Sequence, residues 1–100
     1  MELIYKKSLL TDELNRCYVC GTTRNIHIHH IFYGRNRENA DKDGCVVPLC
    51  IYHHTGIYGV HTKRGKELDT RLKQECQKAW LKHYKKSVSD FIERYRINYL

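Results

Sequence analysis

Alternation of apolar and polar positions predicts two short strands in the first half of the chain. Residues 25–32 are rich in isoleucine and alternate in polarity, which is typical of a strand. Residues 46–49, with the sequence VVPL, predict a second strand, and Pro48 restricts it to an edge or an end of the sheet. Between them, residues 34–44 are polar, charged and bounded by glycines, so they are predicted to form a loop.

Apolar residues at spacings of three and four predict one long helix, Lys66–Tyr84. Trp80 is predicted to anchor the core, and Cys76 is interpreted as a buried apolar side chain and not as a ligand. Six residues share the apolar face of this helix: Leu68, Leu72, Cys76, Ala79, Trp80 and Tyr84.

Weaker patterns predict three further helices, at residues 2–16, at residues 51–58 and near the end of the chain. The last of these begins at Ser87 and Asp90, which resemble a capping box, and continues to about Arg96. The residues expected to pack inward from it are Phe91, Ile92 and Tyr95, and the final NYL is expected to dock as well.

Length and composition predict one small cytosolic domain. A chain of 100 residues buries only about two thirds of the surface that its unfolded form exposes, so its core needs reinforcement. Five cysteines are an odd number, which argues against a framework made only of disulfides. No apolar run has the length of a signal peptide or of a membrane span, so we expect reduced thiols that can bind zinc.

Charge is concentrated in the second half of the chain. The formal net charge is +7, and residues 63–100 hold eleven Lys and Arg against five Asp and Glu, whereas residues 1–62 hold seven against six. A basic half predicts a phosphate-rich partner such as nucleic acid. A solvated helix face kept soluble by lysines explains the charge equally well.

Two pairs of soft ligands share one spacing. Cys17 and Cys20 form a C-x-x-C, and Cys50 and His53 form a C-x-x-H some thirty residues later. Structural zinc is held by four sulfur and nitrogen ligands that come from two such pairs. The sequence therefore predicts a structural zinc site, whose binding energy contributes to folding.

The remaining histidines suggest a second site. Because adjacent residues of a strand point to opposite faces, His29 and His30 cannot both aim at the same ion. One ring can bind a metal ion while its neighbour accepts a proton from water, as hydrolysis requires. His54 lies where it can face the strand from the following helix, and His27 is interpreted as a surface or outer histidine.

Together, C-x-x-C, HH on a strand and PLC-x-x-HH at a helix start resemble the HNH endonuclease family. The resemblance covers residues 17–100 and is closest to small HNH-type proteins of phages and prophages of Gram-positive bacteria. It implies an α+β fold with a ββα-metal (HNH/His-Me finger) core, a zinc knuckle and additional C-terminal helices. The single domain then comprises an N-terminal segment (1–16), the knuckle and core (17–62) and a basic helical part (63–100).

The resemblance implies a metal-dependent DNA endonuclease that hydrolyses phosphodiester bonds. His29 matches a ligand of the catalytic divalent ion, His30 the general base that activates water, and His54 a second ligand of that ion. His61 is a further candidate ligand. The separate structural zinc site would use Cys17, Cys20, Cys50 and His53.

This sequence departs from the family pattern at two positions. Cys45 occupies the place nearest to the usual middle asparagine, so the orienting role of that residue is either missing or supplied from elsewhere, with Asn36 and Asn39 as candidates. His53 stands where a fourth cysteine is more usual. An exchange of His53 and His54 between the two sites therefore stays open.

The implied cofactors are structural Zn²⁺ and a catalytic divalent ion, with Mg²⁺, Mn²⁺, Ni²⁺ and Zn²⁺ as candidates. The implied partner is DNA, and no membrane partner is expected. Formation of a homodimer, or binding of a phage or host protein, stays open. The expected location is the cytoplasm of a bacterial host cell. Candidate contacts to the phosphate backbone are Arg24, Arg35, Arg37, Lys63, Arg64 and Lys66.

The alternative function is a catalytically inactive, zinc-stabilised module that binds nucleic acid or a protein, such as a phage-encoded inhibitor or accessory protein. It would keep the structural ligands and the basic helices. The doublet His29 and His30 with His54 favours the enzyme, because a purely structural module does not need a second imidazole cluster.

Overall fold

A two-stranded antiparallel hairpin lies at the centre of the fold. In the computed structural model, which describes residues 8–100, strand β1 (Ile26–His30) pairs with strand β2 (Val46–Cys50). Both strands were predicted. The carbonyl of Pro48 accepts a hydrogen bond from the Tyr18 N–H at 2.8 Å, so this residue faces the outer edge of β2. The missing N–H of Pro48 therefore interrupts no bond between the strands.

The connection between the strands is helical, and the predicted loop at 34–44 is wrong. A short 3₁₀ turn (Gly34–Asn36) leads into helix α1 (Arg37–Asp43), which ends at Gly44 with a left-handed φ of 82°. Only Ala40 and Asp43 are buried in this helix. Its apolar face is therefore too small to produce a visible period in the sequence.

Three further helices complete the fold of residues 8–100. Helix α2 (Ile51–His54) is shorter than the predicted 51–58. Helix α3 has the predicted bounds, Lys66–Tyr84, and helix α4 spans Val88–Tyr95. The predicted capping box opens α4: the Ser87 hydroxyl accepts from the Asp90 N–H, and the Asp90 carboxylate accepts from the Ser87 N–H. The result is a small α+β fold.

The predicted N-terminal helix is wrong where the structure describes it. Residues 8–16 form bends and turns without a helix, and residues 2–7 lie outside the described residues. The Leu9 N–H donates to the carbonyl of Gly44, the Ser8 hydroxyl donates to that of Val46, and Leu9 and Leu10 pack against the core. Contacts with Gly44 and with strand β2 therefore hold this segment against the core without a helix.

The core lies between the hairpin and helices α3 and α4. On α3, Leu72, Cys76 and Trp80 are buried as predicted, and Phe91 of α4 packs edge to face against Trp80. Ile92 was expected to pack but is 40% exposed. The other predicted members of the α3 face are half-buried: Leu68, Ala79 and Tyr84.

Asp43 joins three helices in the core. Its carboxylate accepts hydrogen bonds from Trp80 Nε1 at 2.9 Å and from Tyr95 Oη at 2.6 Å, and it pairs with the Arg94 guanidinium through both oxygens. A buried carboxylate is stable only when such partners satisfy it. This cluster therefore fixes the end of α1 against α3 and α4.

The predicted docking of the final NYL is confirmed for Asn98 and Tyr99, whereas Leu100 is 49% exposed. The buried Gln77 side chain donates to Asn98 Oδ1 and accepts from the Tyr99 N–H, each at 2.8 Å. The Tyr99 ring stacks on Phe32 at 13° with 5.5 Å between centroids. None of the helices in the described part of the chain has the length and apolarity needed to cross a membrane.

Candidate functional site

Three cysteines and one histidine converge where the turn after residue 17 meets the start of α2. One ligand atom from each of the four lies within 4.8 Å of the others: Cys17, Cys20, Cys50 and His53. Cys50 Sγ lies 3.3 Å from His53 Nδ1, Cys17 Sγ lies 3.8 Å from the same nitrogen, and Cys20 Sγ lies 3.8 Å from Cys50 Sγ. A tetrahedral zinc site separates sulfur from nitrogen by about 3.6 Å and sulfur from sulfur by about 3.8 Å. The cluster could therefore hold an ion such as zinc.

A tight turn shapes the first half of this cluster. The Gly21 N–H donates to the carbonyl of Cys17 at 2.9 Å, and the Cys17 N–H donates to the carbonyl of Thr22 at 2.8 Å. Gly21 has a φ of 78°, which glycine adopts without strain. The turn thus aims Cys17 and Cys20 at one point.

The local environment affects how easily these thiols ionise. Burial alone raises the pKa of Cys17, but hydrogen bonds from the backbone at Cys20, Cys50 and Val19 outweigh it and lower that pKa to about 6. At Cys20 the backbone at Thr22 lowers the pKa, but burial and the neighbouring thiols outweigh it and raise the pKa. The thiolate is the form that binds metals, and the lowered pKa favours this form at Cys17. The positive charge of a bound ion would favour the thiolate of Cys20 as well.

Three histidines form a second cluster, one on β1, one at the end of α2 and one in the segment after α2. The ring nitrogens of His29, His54 and His61 lie within 4.8 Å of one another, and Nε2 of His54 is 3.3 Å from Nε2 of His61. His29 is only 2% exposed, and its Nε2 has no hydrogen-bond partner among the described residues. A buried nitrogen without a partner is costly unless water or an ion binds it. The donor set fits a divalent ion.

Burial keeps two of these rings neutral. It lowers the pKa of His29 to about 3, and the neighbouring rings of His54 and His61 add to this effect. Burial, followed by the rings of His61 and His27, also lowers the pKa of His54. Since neutral imidazole is the form that binds metals, both residues are ready to ligate at neutral pH.

His27 contacts this cluster from outside. Its Nδ1 lies 3.0 Å from Nδ1 of His54, while the Nε2 of His54 faces His61. The His27 side chain is exposed and does not belong to the three-histidine group. It is therefore placed to hold the His54 ring in one orientation.

His30 lies beside the three histidines. It is 7% exposed and lines the same cavity of about 260 Å³, together with Tyr33 and Arg37. Its Nε2 lies 3.1 Å from Oδ1 of Asp41, a residue of α1. Asp41 was missed by the sequence analysis because α1 was interpreted as a loop. A helical interpretation would have placed Arg37 and Asp41, four residues apart, on one face.

Cys45, Asn36 and Asn39, the residues weighed in place of the middle asparagine of the HNH pattern, make structural contacts. The side-chain amides of Asn36 and Asn39 donate to the carbonyls of Tyr95 and Arg94 at the end of α4. Cys45 is fully buried, with its Sγ 3.6 Å from Tyr95 Oη. The side chain that lies against His30 Nε2 is instead that of Asp41.

The six candidate DNA contacts lie in different places. Arg37 lines the histidine cavity, and Arg35 joins it in a neighbouring cavity that also reaches His30. Arg24 is exposed just before β1. A separate groove at the start of α3 contains the remaining three, Lys63, Arg64 and Lys66.

A charged group on α3 borders the histidine cluster and was not predicted. Lys73 Nζ lies 2.9 Å from Asp69 Oδ2 and 3.2 Å from Tyr33 Oη. Burial alone lowers the pKa of Lys73, but these two partners outweigh it and raise the pKa, so the side chain stays cationic. The Tyr33 ring lies 5.5 Å from that of His61. No local motif indicates this contact, because Tyr33 and Lys73 are far apart in the sequence.

Comparisons with known proteins do not assign this chain to a family. The chain matches no model of a protein family, no curated protein and no solved structure. What it does is therefore inferred from its own residues.

Proposed function

We propose that this chain is an HNH-type, metal-dependent endonuclease that hydrolyses phosphodiester bonds in DNA. The proposal is carried by one observation: His30 lines the same cavity as the clustered rings of His29, His54 and His61. The order of elements supports it, since β1, β2 and α2 occur in the strand, strand, helix order of a ββα-metal core, with the 3₁₀ turn and α1 between the two strands. The nearby four-ligand cluster fits the role of the structural zinc site.

The ligands divide between the two proposed sites. Zinc would be held by Cys17, Cys20, Cys50 and His53, and the catalytic ion by His29, His54 and His61. When bound, a divalent ion supplies Lewis-acid stabilisation of the charge on the phosphate and on the leaving oxygen. Imidazole donors favour Zn²⁺, Ni²⁺ or Co²⁺, although Mn²⁺ or Mg²⁺ can work when phosphate and water oxygens complete the shell.

The proton is handled by His30 in this mechanism. Its ring accepts a proton from the attacking water, and the carboxylate of Asp41, 3.1 Å away, stabilises the imidazolium that forms. The water oxygen bonds to phosphorus while the bond from phosphorus to the 3′ oxygen breaks. The leaving oxygen then takes a proton from solvent. Arg37 lines the cavity and would hold a phosphate oxygen.

The test is cleavage of supercoiled plasmid by protein that keeps its structural zinc and receives Mg²⁺, Mn²⁺, Ni²⁺ or further Zn²⁺. We expect metal-dependent nicking that falls by about 10²- to 10⁴-fold in His30→Ala. His83→Ala is the matched control, since His83 is exposed on α3 outside both clusters. If folded, zinc-loaded protein shows no cleavage with any ion, the alternative of a zinc-stabilised binding module is favoured.

A further inference from the structure

Four large apolar side chains around α2 are exposed to solvent. This tyrosine surface consists of Ile51, Tyr52, Ile57 and Tyr58, which are 50%, 48%, 63% and 47% exposed. The two tyrosine rings lie 5.8 Å apart between centroids. Rings with this much free area, side by side, are suited to stacking against another flat group.

A basic groove adjoins the tyrosine surface. Its volume is about 640 Å³, and its lining has four cationic residues and one acidic residue: Lys63, Arg64, Lys66, Glu67, Thr70, Arg71 and Gln74. Among residues 8–100, Lys63, Arg64 and Lys66 form no ion pair within 4.0 Å, whereas Arg71 pairs with Glu75. The Arg64 guanidinium lies 5.7 Å from the centroid of the Tyr58 ring, so the groove and the rings are continuous.

The segment that carries the tyrosine surface is held in one conformation. The Thr62 hydroxyl contacts the carbonyls of Gly59 and Ile57 at 2.7 and 2.9 Å. A Cβ atom at Gly65 would lie only 1.8 Å from the carbonyl oxygen of Gly59, so the chain passes too close there for any other residue. The Val60 N–H donates to the carbonyl of His53 at 3.0 Å. Because Tyr58 and His61 both lie in this segment, these contacts fix the position of Tyr58 relative to the histidine cluster.

We propose that the tyrosine surface and the basic groove bind single-stranded nucleic acid. Bases stack on Tyr52 and Tyr58, and phosphates lie along Lys63, Arg64 and Lys66. The charge of the groove complements a phosphate backbone. A duplex cannot use the rings in this way, because its base faces are already stacked. The substrate class follows if the proposed nuclease function is right. It is DNA with an unpaired segment, which the tyrosine surface would hold beside His54 and His61 of the histidine cavity.

The experiment measures binding in the His30→Ala background, so that binding is separated from cleavage. The probes are a short fluorescein-labelled oligothymidylate and a labelled duplex of the same length. Tyr58→Ala and Tyr52→Ala are expected to weaken single-strand binding by about 5- to 150-fold each. Tyr58→Phe, which keeps the ring, and Ile92→Ala, an exposed control on α4, should bind like the parent. Duplex binding should change little in all four variants.

Several results would overturn this assignment. They are unchanged single-strand binding in both alanine variants, an equal loss in Tyr58→Phe and Tyr58→Ala, and tighter binding of the duplex than of the single strand. Absence of binding to either probe would also overturn it and indicate a protein partner for the tyrosine surface. Zinc content and thermal melting confirm that each variant is folded. If binding depends on the tyrosines but the parent protein, with His30 intact, cleaves DNA with none of the metals, the nuclease proposal fails while the binding surface stands.

Discussion

The two clusters meet at α2, which supplies one histidine to each, but they differ in chemistry and in access. The first combines three sulfurs with one nitrogen at separations of 3.3–3.8 Å that suit a closed tetrahedral shell. The second has three imidazoles, one of them buried without a described partner, and opens on a cavity of about 260 Å³. Structural zinc sites are closed, whereas catalytic sites keep a position for water or substrate. The adjacent α2 residues His53 and His54 thus belong to different clusters, His53 to the closed one and His54 to the open one.

The largest expected effect is loss of the fold when the closed cluster is broken. Cys50→Ser removes one of the four proposed zinc ligands, and structural zinc contributes about 10–16 kcal/mol of apparent binding free energy at neutral pH. We expect the variant to lose zinc and its cooperative thermal transition, as measured by metal analysis and circular dichroism. Cys76→Ala is the control, because this buried thiol lies outside both clusters and should cost only about 1 kcal/mol. A zinc-free Cys50→Ser protein that melts like the parent would contradict the structural role.

A smaller effect is expected from Asp41, which belongs only to the open site. Asp41→Asn removes the carboxylate that faces His30 Nε2 but keeps its shape. We expect plasmid cleavage to slow by about 10- to 100-fold, because the imidazolium loses its stabilising charge. Zinc content and melting temperature should not change. Glu38→Gln, an exposed neighbour on α1 that pairs with Lys42, serves as the control and should cleave at the parent rate. Equal rates in both variants would remove Asp41 from the mechanism.

Acidification is expected to weaken the fold through the open site. The pKa of His29 is about 3 in the folded chain, below the value of about 6.5 expected when unfolded. The unfolded chain therefore binds more protons between these values, so this contribution is complete above pH 6.5 and decreases below it. At pH 5.5 the expected loss is about 1.4 kcal/mol.

Urea unfolding at pH 7.5 and pH 5.5 measures this loss. The parent is compared with His29→Gln at equal zinc content, which cancels the acid sensitivity of the thiolates. The parent should lose more stability on acidification than His29→Gln, while His83→Ala should behave like the parent. The same pH dependence in the parent and in His29→Gln would show that His29 does not stay neutral in the folded chain.

The smallest expected effect concerns His27, which touches only one ligand of the open site. His27→Ala removes the contact with Nδ1 of His54. Outer partners of metal-binding histidines typically change affinity by about 10- to 100-fold, and the exposed position of His27 favours the lower end. Calorimetric titration of zinc-loaded protein with Ni²⁺ should show this loss, and His27→Gln, which keeps an acceptor, should recover part of it. Unchanged affinity in His27→Ala would make this residue a surface histidine.

Local signals explain what the sequence could predict. The period of Lys66–Tyr84 predicted that helix because four of its residues are buried on one face, and the alternation of isoleucine and histidine predicted β1 although only His29 and His30 of that strand are buried. The spacing of Cys17, Cys20, Cys50 and His53 was sufficient to group them, since each pair lies on one turn. Pattern alone failed for α1, whose buried face contains little more than Ala40, and at residues 8–16, where contacts with the hairpin override a helical preference.

Long-range contacts explain what the sequence could not predict. Asp41 reaches His30 only because α1 folds back over β1, and Lys73 reaches Tyr33 from the middle of α3. The exposure of Tyr52 and Tyr58 follows from the end of α2 at His54 and the tight path at Gly65. A period-based prediction, which extended α2 to residue 58, could not place these rings on one surface.

The most direct test of the two-site account is a calorimetric titration of zinc-loaded protein with Ni²⁺, in the parent and in His29→Ala. The account predicts that the parent binds one further equivalent of Ni²⁺ and that His29→Ala binds none, while both keep their zinc and their fold. Uptake of Ni²⁺ by His29→Ala as strong as that of the parent, or no uptake by the parent, would contradict an open metal site built on His29.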